Sequence, residues 1–240
     1  MYDLHCHILY GVDDGADTIL ESLEMAEIAR DNGTKGIVVT PHSYSSPTEL
    51  NFWDDDMKNR FSNLQKEIYQ RGLDIKLFSG QEIYGRGEFV EHLLSGELIT
   101  INGSRYPLIE FPFAVRSKYV LEKMQLLITE GFVPIIAHPE RYTFVSENFE
   151  SLVKLKKMGC LVQVNTGSLQ GVFGSGAKSI SAKILDRRMA DVVASDAHSP
   201  FVRLPSLAEA HELISENFSP DYADRLLNRN PEAIIQNKTI

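Results

Sequence analysis

Cysteine is nearly absent from this sequence: Cys6 and Cys160 are the only two in 240 residues. They are too few for a disulfide framework and lack the paired spacing of a zinc ribbon or a redox motif. A disulfide-stapled fold is excluded, and a reducing cytosol fits best. Long apolar runs are missing too, none approaching the roughly 20 residues needed to cross a bilayer. The chain opens Met1-Tyr2-Asp3-Leu4-His5, where an export signal needs a basic segment followed by an apolar one. These absences predict a soluble, cytoplasmic protein with no membrane insertion. Positive charge is scarce, with 24 Lys and Arg against 33 Asp and Glu and a net charge of -9. No broad cationic field exists to attract nucleic acid. An anionic substrate must therefore be captured by a local positive site, which bound metal ions provide even in an acidic protein.

The hydrophobic content of 43% suffices for one sizeable core, so residues 1–240 are expected to form a single domain. Short runs rich in Val, Ile and Leu at 36–40, 75–78, 107–111, 132–137, 161–164 and 191–194 read as buried strands. Between them, 18–32, 54–71, 115–130, 149–158, 178–188 and 206–217 have helical spacing, several opening on Thr, Ser, Asp or Asn as caps. Strands alternating with helices predict an α/β fold with a largely parallel sheet, open or closed into a barrel. The Gly-rich patch 171–176 reads as a loop. It lacks the Gly-x-x-x-x-Gly-Lys-Ser/Thr spacing of a nucleotide-binding loop.

The informative pattern is where the metal-ligand residue types fall. His5 and His7 lie in the first segment, His42 follows 36–40, Glu82 follows 75–78, and Glu110 sits in 107–111. His138 closes 132–137, and Asp196 and His198 close 191–194. In a parallel barrel the carboxyl ends of the strands face one way, so residues far apart in sequence converge on one rim. His5-x-His7 puts two imidazoles on one side of a strand, and Asp196-x-His198 is expected to repeat that geometry. A single His is more often packed or solvated than a ligand, but five of the seven His residues fall at strand-like positions. His92 and His211, on helices beside Glu residues, read as surface histidines. Asp13 and Asp14 before Gly15 fit a turn or helix cap as well as a ligand role. Glu82 and Glu110 beside buried strands would cost several kcal/mol unless paired or metal-bound. Imidazole and carboxylate without thiolate favour manganese, iron or zinc, with cobalt also compatible. Arg141 and Arg203, close after His138 and His198, fit either surface salt bridges or planar forks for phosphate oxygens, and their joint position favours phosphate.

Together, Asp3-Leu4-His5-Cys6-His7 with Asp13-Asp14-Gly15, Thr40-Pro41-His42, Gly80-Gln81-Glu82-Ile83-Tyr84, Leu108-Ile109-Glu110-Phe111, Ala137-His138-Pro139-Glu140-Arg141-Tyr142, Gln163-Val164-Asn165 and Ala194-Ser195-Asp196-Ala197-His198 resemble the polymerase and histidinol phosphatase (PHP) superfamily. Within it, they resemble the bacterial manganese-dependent tyrosine phosphatases of capsule and exopolysaccharide synthesis. The resemblance implies a distorted parallel (β/α)7-type barrel and a site for three divalent ions. One ion would take His5, His7, Glu82 and Asp196, a second Glu82, Glu110 and His138, and a third Asp14, His42 and His198. Arg141 and Arg203 match the family's phosphate-binding arginines. The implied reaction is hydrolysis of phosphotyrosine through a metal-bridged water, on a protein substrate such as a bacterial tyrosine kinase. A cysteine mechanism needs Cys-x5-Arg, but Val12 and Thr166 stand where the arginine would be. The rival readings are a phosphatase of a small ester such as histidinol phosphate, and a catalytically silent metal-binding scaffold, which the full ligand set disfavours.

Overall fold

Short buried strands pair in parallel when helices cover the sheet, and most strands here pair that way. The computed structural model describes residues 1–46 and 49–240. Its strands are β1 Tyr2–Cys6, β2 Gly36–Val39, β3 Tyr44–Ser46, β4 Glu49–Leu50, β5 Lys76–Ser79, β6 Glu82–Tyr84, β7 Leu108–Glu110, β8 Ile135–Ala137, β9 Leu161–Asn165 and β10 Val192–Ala194. One parallel sheet has the order β1-β2-β5 and a second the order β10-β9-β8-β7-β6, while β3 and β4 pair antiparallel.

The two sheets meet at both edges. At one, β5 runs through Gly80 and Gln81 into β6, and Glu82 bridges to His42. There Glu82 N donates to Pro41 O at 3.1 Å, and Ser43 N donates to Glu82 O at 2.9 Å. At the other, His7 N donates to Ala197 O and Asp196 N to His5 O, both at 2.8 Å. Leu4, Val38, Leu108, Ile135, Ala137, Leu161, Val192 and Ala194, drawn from both sheets, share one buried cluster. Each such Leu, Ile or Val stabilises the fold by about 1.5–3 kcal/mol on burial. Two further clusters lie between the strands and the helices.

The helices Ile19–Asp31 and Asp55–Gln70 start where their caps predict, with Thr18 accepting from Glu21 N and Asp54 from Met57 N. Other expectations need correcting. The Gly-rich patch is not a loop throughout: Gly171, at φ 89°, ends the short helix Thr166–Gln170, and the helix expected from 178 already begins at Gly174. The strand expected at 132–137 is only Ile135–Ala137, since Pro134 has no N–H for a ladder. The helices Phe89–Ser95, Thr143–Glu147, Pro220–Asp224 and Asn230–Ile235 were not anticipated, being too short to show periodicity. Among the described residues, no helix is long and apolar enough to cross a membrane.

Candidate metal centre

β1 delivers His5 and, one residue past its end, His7, and their Nε2 atoms stand 3.1 Å apart. His5 Nδ1 lies 3.0 Å from Gln163 Oε1, and His7 Nδ1 lies 2.8 Å from Asp13 Oδ2. Both partners accept, so each ring carries its proton on Nδ1 and turns an Nε2 lone pair inward. Two lone pairs at that separation repel unless a proton or a cation sits between them. Around the pair lie Glu82 Oε2, 3.3 Å from His5 Nε2 and 3.4 Å from His7 Nε2, and Asp196 Oδ1 at the same two distances.

Glu82 is the hub. Its Oε1 is 3.0 Å from His138 Nε2 and its Oε2 is 2.9 Å from His42 Nδ1. Glu110 stands 3.7 Å from His138 and 3.8 Å from His42. Asp14 Oδ1 lies 3.4 Å from His42 Nε2 and 3.5 Å from His198 Nε2. The structure thus brings together all nine residues singled out in the sequence. Their donor atoms fall into overlapping sets within 4.8 Å: His5, His7 and Asp196; His5, Glu82 and His138; His42, Glu82 and Glu110; and His7, Asp14, His42 and His198. His7 therefore also reaches the group expected to hold Asp14, His42 and His198.

The charges in this cluster suit cations. Burial would lower the His7 ring, but Asp13 outweighs it and holds the pKa well above the usual imidazole range. Burial would likewise raise Glu82, yet His5 and His42 hold it well below the carboxylate range. Glu110, by contrast, is pushed up to about 8, by burial first and then by Glu82. Buried Glu82 Oε2, Glu110 Oε2 and His42 Nδ1 lack a well-directed hydrogen bond, a cost of about 1–3 kcal/mol each that a shared divalent ion would remove. The donor set of imidazole and carboxylate fits manganese, iron, zinc or cobalt.

Two turns aim the remaining groups. Asp196, expected to alternate with His198 along a strand, instead follows the end of β10 at φ 52°. The chain still pairs in parallel with the end of β1 through Ala197, and His198 Nδ1 meets Asp196 O at 3.0 Å. His138 takes φ 32° at the end of β8. Such backbone is costly outside glycine and marks positions fixed by their surroundings. Arg203, at φ 56°, ion-pairs through Nη2 with Asp196 Oδ2, and Arg141 Nη1 lies 3.5 Å from the same oxygen. The Arg141 guanidinium sits 4.4 Å from the ring centres of both Phe113 and Phe173. Among the described residues Asp196 is its one carboxylate partner, which leaves donors of the fork to grip an oxyanion.

The sequence reading did not anticipate the supports behind these groups. Asp13 Oδ2 also accepts from His42 N at 2.8 Å, and Asp13 Oδ1 accepts from Gly15 N at 2.9 Å. A Cβ on Gly15 would fall 2.1 Å from His7 O, so only glycine fits this turn. Asn165 Nδ2 donates to Asp196 Oδ2 at 2.5 Å, and Gln163 Nε2 to Asn165 Oδ1 at 2.7 Å. The available signal was two amides, spaced by one residue, on the otherwise apolar strand Leu161–Asn165. Cys6 is fully buried and its thiol is pushed well up by burial, which removes it as a nucleophile. His92 pairs at the surface with Glu97 at 2.8 Å.

A family model described as capsular polysaccharide synthesis, CpsB/CapC, matches residues 1–236. The tyrosine-protein phosphatase YwqE of Bacillus subtilis is 33% identical over 240 residues, spanning 100% of this chain and 93% of the relative. The tyrosine-protein phosphatase CpsB of Streptococcus agalactiae is 30% identical over 245 residues and 100% of both chains. A crystal structure from work on YwqE of Bacillus subtilis and CpsB of Streptococcus pneumoniae, described as metal-dependent tyrosine phosphatases, superposes with a TM-score of 0.94. Its identity is 33%, covering 100% of this chain and 96% of that one.

Proposed function

The chain belongs to the CpsB/CapC capsular polysaccharide synthesis family, and we propose that its nine convergent residues are the metal ligands of a phosphotyrosine-hydrolysing centre. It is a metal-dependent tyrosine-protein phosphatase, and so a phosphoric monoester hydrolase. The observation that carries the assignment of the site is the pair of Nε2 atoms 3.1 Å apart, flanked by Glu82 and Asp196 oxygens and by two arginines.

The resemblance to manganese enzymes supports three divalent ions, manganese first. Divalent cations, if held by these residues, would supply positive charge to the phosphoryl group and lower the pKa of bound water. Gln163 and Asp13 keep the protons of His5 and His7 on Nδ1, so that Nε2 faces inward. Asn165 holds Asp196 in place. Arg141, clamped between Phe113 and Phe173, and Arg203 present their forks to the phosphoryl oxygens, where their charge counts most as the ester bond to the tyrosyl oxygen breaks. Neither cysteine serves as the nucleophile, since both are buried.

The order β1-β2-β5/β6-β7-β8-β9-β10 reads as seven staves of a distorted barrel, with β5 and β6 as one bent stave. The main-chain bonds at both sheet edges and the shared inner cluster support it. We take residues 1–240 as one domain. The substrate is proposed to be a bacterial tyrosine kinase governing capsule or exopolysaccharide synthesis, met in the cytoplasm. Comparing phosphotyrosine peptides, phosphoserine peptides and histidinol phosphate with added manganese tests the substrate. Preference for the phosphotyrosine peptide is expected, and faster turnover of histidinol phosphate would move the assignment to a small-ester phosphatase.

A further inference from the structure

A cavity of about 340 Å³ opens directly beside the arginine pair, with Arg203 and Ser195 in its wall. Its lip is apolar. Of the eleven large hydrophobic residues exposed among the described residues, Val172, Phe201, Val202 and Leu204 all line this one cavity. Of these four, Phe201 and Val202 are the most exposed, at 71% and 68%. Scattered apolar residues on a surface need no explanation, but a contiguous cluster rimmed by polar groups marks a binding surface. Glu209, which accepts from Gln170 Nε2 at 2.7 Å, also lines it.

We propose that this cavity is the subsite for an apolar side chain next to the phosphotyrosine in the substrate polypeptide. The inference rests on the phosphatase reading, and continuity with that site argues for this occupant. Arg203 belongs both to the proposed phosphate clamp and to the cavity wall, so a polypeptide whose phosphate is held by Arg203 must lay its adjoining residues across the Phe201–Leu204 segment. The Glu209 carboxylate in the same wall disfavours a second carboxylate beside it. A small aryl phosphate engages the arginines without reaching the cavity, so the subsite selects proteins over free esters.

The test uses phosphotyrosyl peptides with glycine flanks into which leucine, then aspartate, is placed one position at a time. Their kcat/KM values are compared on the wild-type protein and on a Phe201→Ala, Val202→Ala double variant, with O-phosphotyrosine as the small ester. Leucine at one position should raise kcat/KM on the order of tenfold, as expected for burying one apolar side chain, and aspartate there should lower it. The double variant should lose that preference while O-phosphotyrosine turnover stays within about twofold. Equal losses on peptide and small ester, or a leucine preference that survives in the double variant, would overturn the subsite. Self-association that the double variant abolishes, with no peptide preference, would assign the patch to a second copy instead. Wild-type protein that hydrolyses neither substrate with manganese would overturn the phosphatase reading itself.

Discussion

Asp13→Asn separates the support behind the metal centre from the centre itself. The Asp13 carboxylate accepts three hydrogen bonds: from His7 Nδ1 and His42 N at 2.8 Å, and from Gly15 N at 2.9 Å. An asparagine offers one carbonyl oxygen and turns an NH2 group toward a remaining N–H donor. At least one buried donor is left unpaired, costing about 1–3 kcal/mol. His7 also loses the full negative charge that makes its Nε2 a strong donor. Changes of this kind lower metal affinity by roughly 10–100-fold, equivalent to about 1.4–2.7 kcal/mol. Activity titrated with manganese should therefore show a midpoint shifted upward by that factor and a plateau within about threefold of wild type. Circular dichroism of the metal-saturated variant checks that it is folded. An unshifted midpoint would refute the support role, and a plateau that saturating manganese cannot restore would show that Asp13 acts in the chemistry.

Arg141→Ala should lower kcat/KM about a hundredfold, or roughly 3 kcal/mol of transition-state stabilisation, with metal content unchanged by elemental analysis. His138→Ala, three residues earlier, should lose metal and activity together. Cys6→Ser should keep most activity at saturating manganese, and thiol alkylation should inhibit weakly; a phosphocysteine trapped during turnover would contradict this. Apparent metal affinity, followed by calorimetry, should rise between about pH 6 and 8. The sign follows from His42, which Glu82 holds up to about 10 against the effect of burial: the metal-free centre keeps protons that the cation must displace, so affinity falls as pH falls.

The site was legible in the sequence because metal chemistry restricts residue type and parallel strands restrict position. His42, Glu110 and His138 each stand at or beside the end of an apolar run, His5 stands in the first segment of the chain, and the fold needed only to align them. Glu82 was placed after a strand but opens β6, because Gly80 and Gln81 break the stave and no periodicity marks such a break. Asp13 looked like any aspartate before glycine, since its role depends on His7 Nδ1 and His42 N, which only the folded chain brings within 2.8 Å. Gln163 and Asn165 were visible as amides in an apolar strand, but what they hold lies more than 30 residues away in His5 and Asp196. The sandwich of Arg141 by Phe113 and Phe173 depends on three separate segments, beyond the reach of any local pattern.

Release of phosphate from a phosphotyrosine peptide by protein freed of metal with chelator, then given back manganese stepwise, tests the central claim most directly. The centre described here predicts no turnover in the stripped protein and recovery as manganese is restored. Full activity in excess chelator after prolonged dialysis would contradict it.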